Sequence, residues 1–176
     1  MSYEKTVWAG EGTLAREQEY NDHWCYERGI ITKAWLDVHA ATGDRRFYDA
    51  AKANVDQYVT EDGAILTYEP EKYNLDMICM GRTALRLFKA TGEAKYEKAC
   101  RRLIEQIKGQ PTTAEGGFWH KKLYPQQMWL DGIYMACPFL TEFAVTFGEM
   151  QWADLAAKQM ELIFEKTRLE SGLHAH

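Results

Sequence analysis

Three near-copies of one short pattern constrain this chain more than any other feature. Ala41-Thr42-Gly43-Asp44 followed by Tyr48, Ala90-Thr91-Gly92-Glu93 followed by Tyr96, and Phe147-Gly148-Glu149 followed by Trp152 each set a glycine before an acid and an aromatic ring shortly after. The three glycines stand 49 and 56 residues apart. A glycine can adopt the left-handed conformation that ends a helix, and an acid just beyond it suits the positive N-terminus of the next. Each copy therefore predicts the turn of an αα-hairpin. A period near fifty predicts such hairpins in series.

The flanking periodicity agrees. Leu130, Ile133, Tyr134, Cys137, Leu140, Phe143, Ala144 and Phe147 recur at three-and-four spacing, as do Tyr96, Ala99, Cys100, Leu103, Ile104 and Ile107, which is the stripe of an amphipathic or buried helix. Six helices are expected, at roughly 22–41, 45–59, 73–90, 94–108, 129–147 and 150–167. Pro138 falls inside the fifth, so that helix should kink there or begin late. The links Glu61–Ile65 and Pro111–Gly117 are rich in turn residues and can hold short extended pieces, but no sheet is indicated. The expected fold class is all-α, with residues 1–176 forming a single segment of three αα-hairpins.

Composition removes several function classes. A formal net charge of −5 leaves no basic stripe for a phosphate backbone, so nucleic acid is not an expected partner. No apolar run is long enough to span a membrane, and Met1–Tyr20 is too polar and acidic for a signal peptide, which predicts a soluble, cytoplasmic protein. Cys25, Cys79, Cys100 and Cys137 lack the paired spacing of a disulfide framework or a zinc site.

The repeat also orders the acids. Glu27 and Asp76 lie 16 residues before their turn glycines and Asp131 lies 17 before its own. All three are thus expected in the first turns of the first helix of a hairpin, gathered at one rim, although acids also favour helix starts for dipole reasons alone. Around Asp131 the composition changes. Gly116-Gly117-Phe118-Trp119-His120-Lys121 and Gln127-Met128-Trp129-Leu130-Asp131-Gly132 place an acid, an imidazole, an ammonium and two indoles within seventeen positions. Flat apolar faces beside a few titratable groups are what a sugar requires. A glycine-rich loop followed by an ordinary capped helix would have the same local pattern.

Tyr73-Asn74-Leu75-Asp76, Gly81-Arg82, the two stretches above, and Tyr124-Pro125-Gln126-Gln127-Met128-Trp129-Leu130-Asp131-Gly132-Ile133-Tyr134-Met135 with Pro138-Phe139 together resemble glycoside hydrolase family 105, the unsaturated rhamnogalacturonyl hydrolases. The likeness runs from about Trp24 to the last residue. It implies an (α/α)6 toroid of six αα-hairpins, of which three would make an amino-terminal half. It also implies hydration of the 4,5 double bond in an unsaturated galacturonyl residue linked to rhamnose, a product of pectin degradation. In that chemistry an acid protonates C4, water adds at C5, and the hemiketal rearranges to release the sugar.

Carried onto this chain, the resemblance makes Asp131 the general acid and base and Asp76 its carboxylate partner. His120 and His176 would hold water and sugar, Lys121 would pair with the uronate carboxylate, and Tyr26 and Met135 would line the sugar subsite. Two facing carboxylates would leave one protonated to higher pH. No metal or organic cofactor is implied. The expected partner is an oligosaccharide, and half a toroid, its end flanks uncovered, is expected to self-associate or to pair with a missing carboxy-terminal half. Two other readings share these residues: an unsaturated glucuronyl hydrolase acting on glycosaminoglycan-like substrates, and a helical-repeat fragment that binds sugar or protein without turning it over.

Overall fold

The computed structural model describes residue 9, residues 11–14 and residues 22–175. From Tyr26 onward it contains six α-helices: α1 (Tyr26–Thr42), α2 (Arg45–Asp56), α3 (Gly81–Thr91), α4 (Ala94–Lys108), α5 (Gly132–Phe147) and α6 (Gln151–Thr167). The 3-10 turns Pro70–Lys72 and Leu75–Ile78 precede α3. The fold is all-α, as the periodicity predicts. One element differs: the helix expected over 73–90 is divided into the 3-10 turn and α3. The side chain of Asn74 accepts the Asp76 N–H at 3.0 Å and Met77 N–H bonds back to the Asn74 carbonyl at 3.2 Å, a tighter winding than an α-helix allows.

The turn glycines behave as their sequence context demands. Gly43, Gly92 and Gly148 have φ of 75, 72 and 71°, and their N–H groups return to the carbonyls of His39, Phe88 and Ala144. In the first two copies the preceding threonine repeats one further device. Thr42 donates to the Val38 carbonyl at 2.7 Å and accepts from Asp44 N–H at 3.1 Å, and Thr91 does the same with Leu87 and Glu93 at 2.8 and 3.1 Å. Asp44 then caps α2 by accepting the Arg46 N–H at 3.0 Å.

A second glycine recurs that the sequence reading did not find. After each hairpin an isolated antiparallel bridge closes a small loop: Val59 with Ile65, Thr112 with Phe118 and Arg168 with His174. Inside each loop sits a left-handed glycine, Gly63, Gly116 or Gly172, with φ of 78, 92 and 83°. Gly63 has a steric reason as well, since a Cβ there would lie 2.3 Å from the Cβ of Lys98. The repeat is therefore helix, glycine turn, helix, bridged loop.

The chain divides into two compact units. The first holds the described residues up to Tyr68 together with Met80–Ala99. Its core is built from Trp35, Phe47, Ala51, Val55, Ala84, Leu85 and Leu87, all buried. Helix α3 meets α1 where the hydroxyls of Thr32 and Thr83 approach to 2.9 Å and where Asp37, paired with Lys33, also accepts from Arg86 at 2.6 Å. Asp56 fastens α2 to the start of α4, accepting from the buried Tyr96 hydroxyl at 2.6 Å and pairing with Lys52 and Lys95 at 2.8 and 3.0 Å.

The second unit holds Glu69–Cys79 and the chain from Cys100 on. Phe139, Leu140, Phe143 and Ala144 of α5 and Ala156 and Ile163 of α6 are buried in it, with Leu103, Ile104 and Ile107 of α4. Helix α5 begins at Gly132, close to the expected start, and keeps Pro138 in its interior. Between α5 and α6 an apolar groove of about 490 Å³ stays open, lined among others by Tyr134, Cys137, Glu142, Met160 and Phe164. Among the described residues no helix is long and apolar enough to cross a membrane.

Candidate active site

Two loops of the second unit carry the acid and imidazole picked out above, and buried amides hold those loops together. Gln110 donates through Nε2 to the carbonyls of Tyr73 and Trp119, both at 2.8 Å. Gln106 donates to the Asn74 carbonyl at 3.2 Å and to Gln110 Oε1 at 3.1 Å. Leu75 N–H bonds to the His120 carbonyl at 3.0 Å, and His120 N–H bonds to the Gln127 carbonyl at 2.8 Å. Buried main-chain groups must find partners. Here those partners fix the segment bearing Asp76 against the segment bearing His120.

The side chains then converge. His120 is 1% exposed, and its Nε2 lies 3.0 Å from Asp76 Oδ1 while Lys121 Nζ lies 2.7 Å from Asp76 Oδ2. Trp129 stacks on the imidazole, rings 4.4 Å apart and 9° from parallel, and Tyr124 stacks on Trp129 at 5.0 Å. Burial alone would push the Asp76 carboxyl above the ordinary carboxylate value. The hydrogen bonds from His120 and Lys121 outweigh it, and the net effect holds Asp76 below that value and ionised.

Asp131 precedes α5 in a helical conformation, and its side chain makes no capping bond. Its carboxylate is accordingly not occupied as an ordinary helix-start acid would be. Asp131 Oδ1 lies 3.9 Å from His120 Nδ1, and both atoms are buried without a hydrogen-bond partner among the described residues. With His120 Nε2 turned to the Asp76 carboxylate, Nδ1 is turned toward Asp131. At 3.9 Å the two atoms are too far apart to bond to one another, and a small polar molecule between them would supply the missing partner. Trp119 Nε1 is also buried and unpaired, so three of the four such atoms among the described residues fall within Trp119–Asp131. Native proteins leave few buried polar atoms unpaired, and a cluster of them marks a place for a ligand or water.

Asp76, His120 and Asp131 can each offer one atom within 4.8 Å of the others, the spacing of a metal site. The donor set fits a cation poorly. Asp76 already carries the Lys121 ammonium on one oxygen and the His120 N–H on the other, so a metal taking either oxygen would compete with the partner already there.

The remaining expected residues fall as follows. Met135 is buried in α5, one turn beyond Asp131 and on the same helix face. Tyr26 is the first residue of α1 in the first unit. His176 lies outside the described residues. Lys121, expected opposite a substrate carboxylate, is paired with Asp76. Sequence reasoning missed Gln106 and Gln110, which nothing but their burial distinguishes from surface glutamines. It also missed the specific role of Trp129 as the ring on which His120 rests.

The sequence profile described as Glycosyl Hydrolase Family 88 matches residues 5–176. A solved structure from C. acetobutylicum, described as a glycoside hydrolase from family 105, is 34% identical with a TM-score of 0.91, covering 100% of this chain and 49% of its own. Two more, each described as a possible member of family 105, come from Klebsiella pneumoniae and Salmonella enterica. They are 22% and 19% identical, with TM-scores of 0.75 and 0.68, and cover 84% and 85% of this chain and 38% of theirs. Those two speak for the fold alone. The chain thus spans about half the length of the structures it matches.

Proposed function

The chain belongs to the glycosyl hydrolase family 88/105 group, and on that premise we propose that it forms the acid–base half of a hydrolase for unsaturated galacturonyl-rhamnose oligosaccharides from pectin. Asp131 delivers a proton to C4 of the 4,5-unsaturated ring and then takes one from the water that adds at C5. The hemiketal so formed rearranges and releases the aglycone. Asp76 holds the His120 imidazole by Nε2 and keeps Nδ1 turned to Asp131. Lys121, anchored on Asp76, sets a positive charge beside the uronate carboxylate. The observation that carries this reading is the pair of unpartnered buried atoms, His120 Nδ1 and Asp131 Oδ1, 3.9 Å apart. A water between them, which can both donate and accept, would serve both.

The open groove on α5 and α6 supports a complementary helical segment in the active assembly. Counted from their turn glycines, Cys137 and Glu142 hold the places in α5 that Thr32 and Asp37 hold in α1, and in the first unit α3 covers those two. A further hairpin with a cation opposite Glu142 would close the groove in the same manner.

The decisive experiment is Asp131→Asn in that assembly, followed by loss of the absorbance of the unsaturated uronyl double bond. The variant should bind substrate and lose at least about 100-fold in kcat. A rate near that of the parent would end the assignment. Turnover of unsaturated chondroitin disaccharides with none of pectin products would select the glucuronyl hydrolase reading. No change in absorbance with either would leave a sugar- or protein-binding module.

A further inference from the structure

The gap of 3.9 Å between His120 Nδ1 and Asp131 Oδ1 needs a cause. The bond from His120 Nε2 to Asp76 Oδ1 at 3.0 Å pins only one corner of the imidazole. The torsion that turns a histidine ring about its stem is broad, with no sharp preference of its own. A ring held at Nε2 alone could tilt and carry Nδ1 away from Asp131. Its plane is held instead by Trp129, whose ring lies 4.4 Å away and 9° from parallel.

Trp129 is fastened to both members of the pair. On the side of His120, the indole Nε1 donates to Gln127 Oε1 at 3.1 Å, and the main-chain carbonyl of the same Gln127 accepts the His120 N–H at 2.8 Å. The imidazole and the ring stacked on it are thus referred to one residue. On the side of Asp131, the Trp129 carbonyl accepts the Gly132 N–H at 3.1 Å and closes a turn around Leu130 and Asp131. The ring therefore rests on the imidazole while the main chain of the same residue begins the turn that carries the carboxylate. Gly132 sets a limit near the other edge of the imidazole, where a Cβ would stand 3.1 Å from Nδ1.

A tryptophan beside a sugar site has a simpler use, as a flat apolar face for the sugar itself. Here two protein rings already lie nearly parallel to the indole, His120 at 4.4 Å and Tyr124 at 5.0 Å. Its flat surface is taken up by the protein. We propose that Trp129 is a positioning residue: it sets the separation of His120 Nδ1 and Asp131 Oδ1, and with it the slot for one small polar molecule, without contacting substrate. The proposal rests on the reading of Asp131 and His120 given above, and concerns how their geometry is held.

Three variants test it. Trp129→Leu keeps an apolar side chain without a flat face, Trp129→Phe keeps a ring, and Gln127→Leu removes only the acceptor of the indole N–H, since the main-chain bond to His120 is retained. By NMR of the chain itself, the His120 ring protons of the parent should lie upfield under the indole ring current. They should lose that displacement in Trp129→Leu and keep much of it in Trp129→Phe. In the active assembly, Trp129→Leu should lower kcat about 10- to 100-fold and leave KM within about twofold, because a displacement near 1 Å costs that much when reacting groups must be aligned. Trp129→Phe should recover most of the loss, and Gln127→Leu should fall between. A raised KM with kcat retained would make Trp129 a sugar platform and overturn the proposal, as would parent-like kinetics in Trp129→Leu; both outcomes leave the hydration chemistry standing. If circular dichroism shows that Trp129→Leu does not fold, Gln127→Leu decides. A kcat lowered about threefold or more with shifted His120 signals supports the proposal, and parent values overturn it. Absence of turnover in the parent would instead refute the hydration chemistry. The positioning is then judged by NMR, where His120 signals that move in Trp129→Leu and Gln127→Leu support it and signals that stay in place overturn it.

Discussion

Gly132→Ala sets a general preference against a specific contact. Glycine in a helix interior is worse than alanine by about 0.5–1 kcal/mol, an upper bound for Gly132 as the first residue of α5, so propensity alone predicts a stabilised protein. The structure predicts the reverse. A Cβ on Gly132 would meet His120 Nδ1 at 3.1 Å and Leu75 Cδ1 at 3.4 Å, so the imidazole would have to give by a few tenths of an ångström. It has little room to do so. Trp129 is stacked on it at 4.4 Å, Asp76 holds Nε2 at 3.0 Å, and the His120 main chain is bonded on both sides at 2.8 and 3.0 Å. Overpacking against a fixed neighbour costs about 1–3 kcal/mol. Less the propensity gain, a net change between about 0 and a loss of about 2.5 kcal/mol is expected. Urea unfolding followed by circular dichroism gives the stability, and imidazole NMR reports whether the His120 ring has moved. Gly148→Ala serves as a control, because at φ 71° with nothing within 4 Å of the added carbon it should cost about 1–2 kcal/mol from backbone strain alone and leave the His120 signals in place. If Gly132→Ala is more stable than the parent and the His120 signals are unchanged, the account of a wedged imidazole is wrong.

Asp76→Asn removes the anion between His120 and Lys121 and should cost about 2–3 kcal/mol, less than a fully buried pair because Lys121 is partly solvated. Since the folded-state Asp76 carboxyl lies below its ordinary value, its stabilisation is fully present above the ordinary carboxylate range and is lost as pH falls through the lowered value. The acid limb of a stability–pH curve should therefore flatten in Asp76→Asn, and an unchanged slope would show that the carboxyl is not perturbed. Gln159→Leu strips the partners from Phe118 N–H at 2.7 Å and the Gly116 carbonyl at 2.9 Å, leaving two main-chain groups unmatched. A loss of about 2–4 kcal/mol is expected in chemical unfolding, and a loss under 1 would mean that the loop relaxes. Burial pushes the Cys137 thiol up to about 12 and the Cys25 thiol up to about 11. A thiol-specific reagent at neutral pH should leave both unlabelled until denaturant is added, and rapid native labelling would contradict their burial.

The hairpins were legible because their signals are local. A glycine before an acid ends one helix and starts another whatever surrounds it, and Gly43, Gly92 and Gly148 all do so. The bridged loops at Gly63, Gly116 and Gly172 repeat as faithfully; the first two were legible as turn-rich links with short extended pieces, but not as members of the repeat. They lie 20, 24 and 24 residues after the turn glycines, so the repeat is out of step once, and each bridge is a single residue pair. The candidate site was legible in part. Asp76, His120 and Asp131 were picked out together. That Lys121 would rest on Asp76, or that Asp76 would sit in a 3-10 turn and not an α-helix, could not be read from spacing.

The order of residues by itself decided where the backbone turns, because glycine dihedrals, threonine back-bonds and three-and-four periodicity act within one or two helical turns. Tertiary structure alone decided which partner each charged group takes. Asp76 is ionised because two donors, 44 and 45 residues further along the chain, reach it. Asp131 Oδ1 is left without a hydrogen bond, since the nearest imidazole stops at 3.9 Å. Electrostatic energies depend on separations through space and on burial, and neither is a property of distance along the chain.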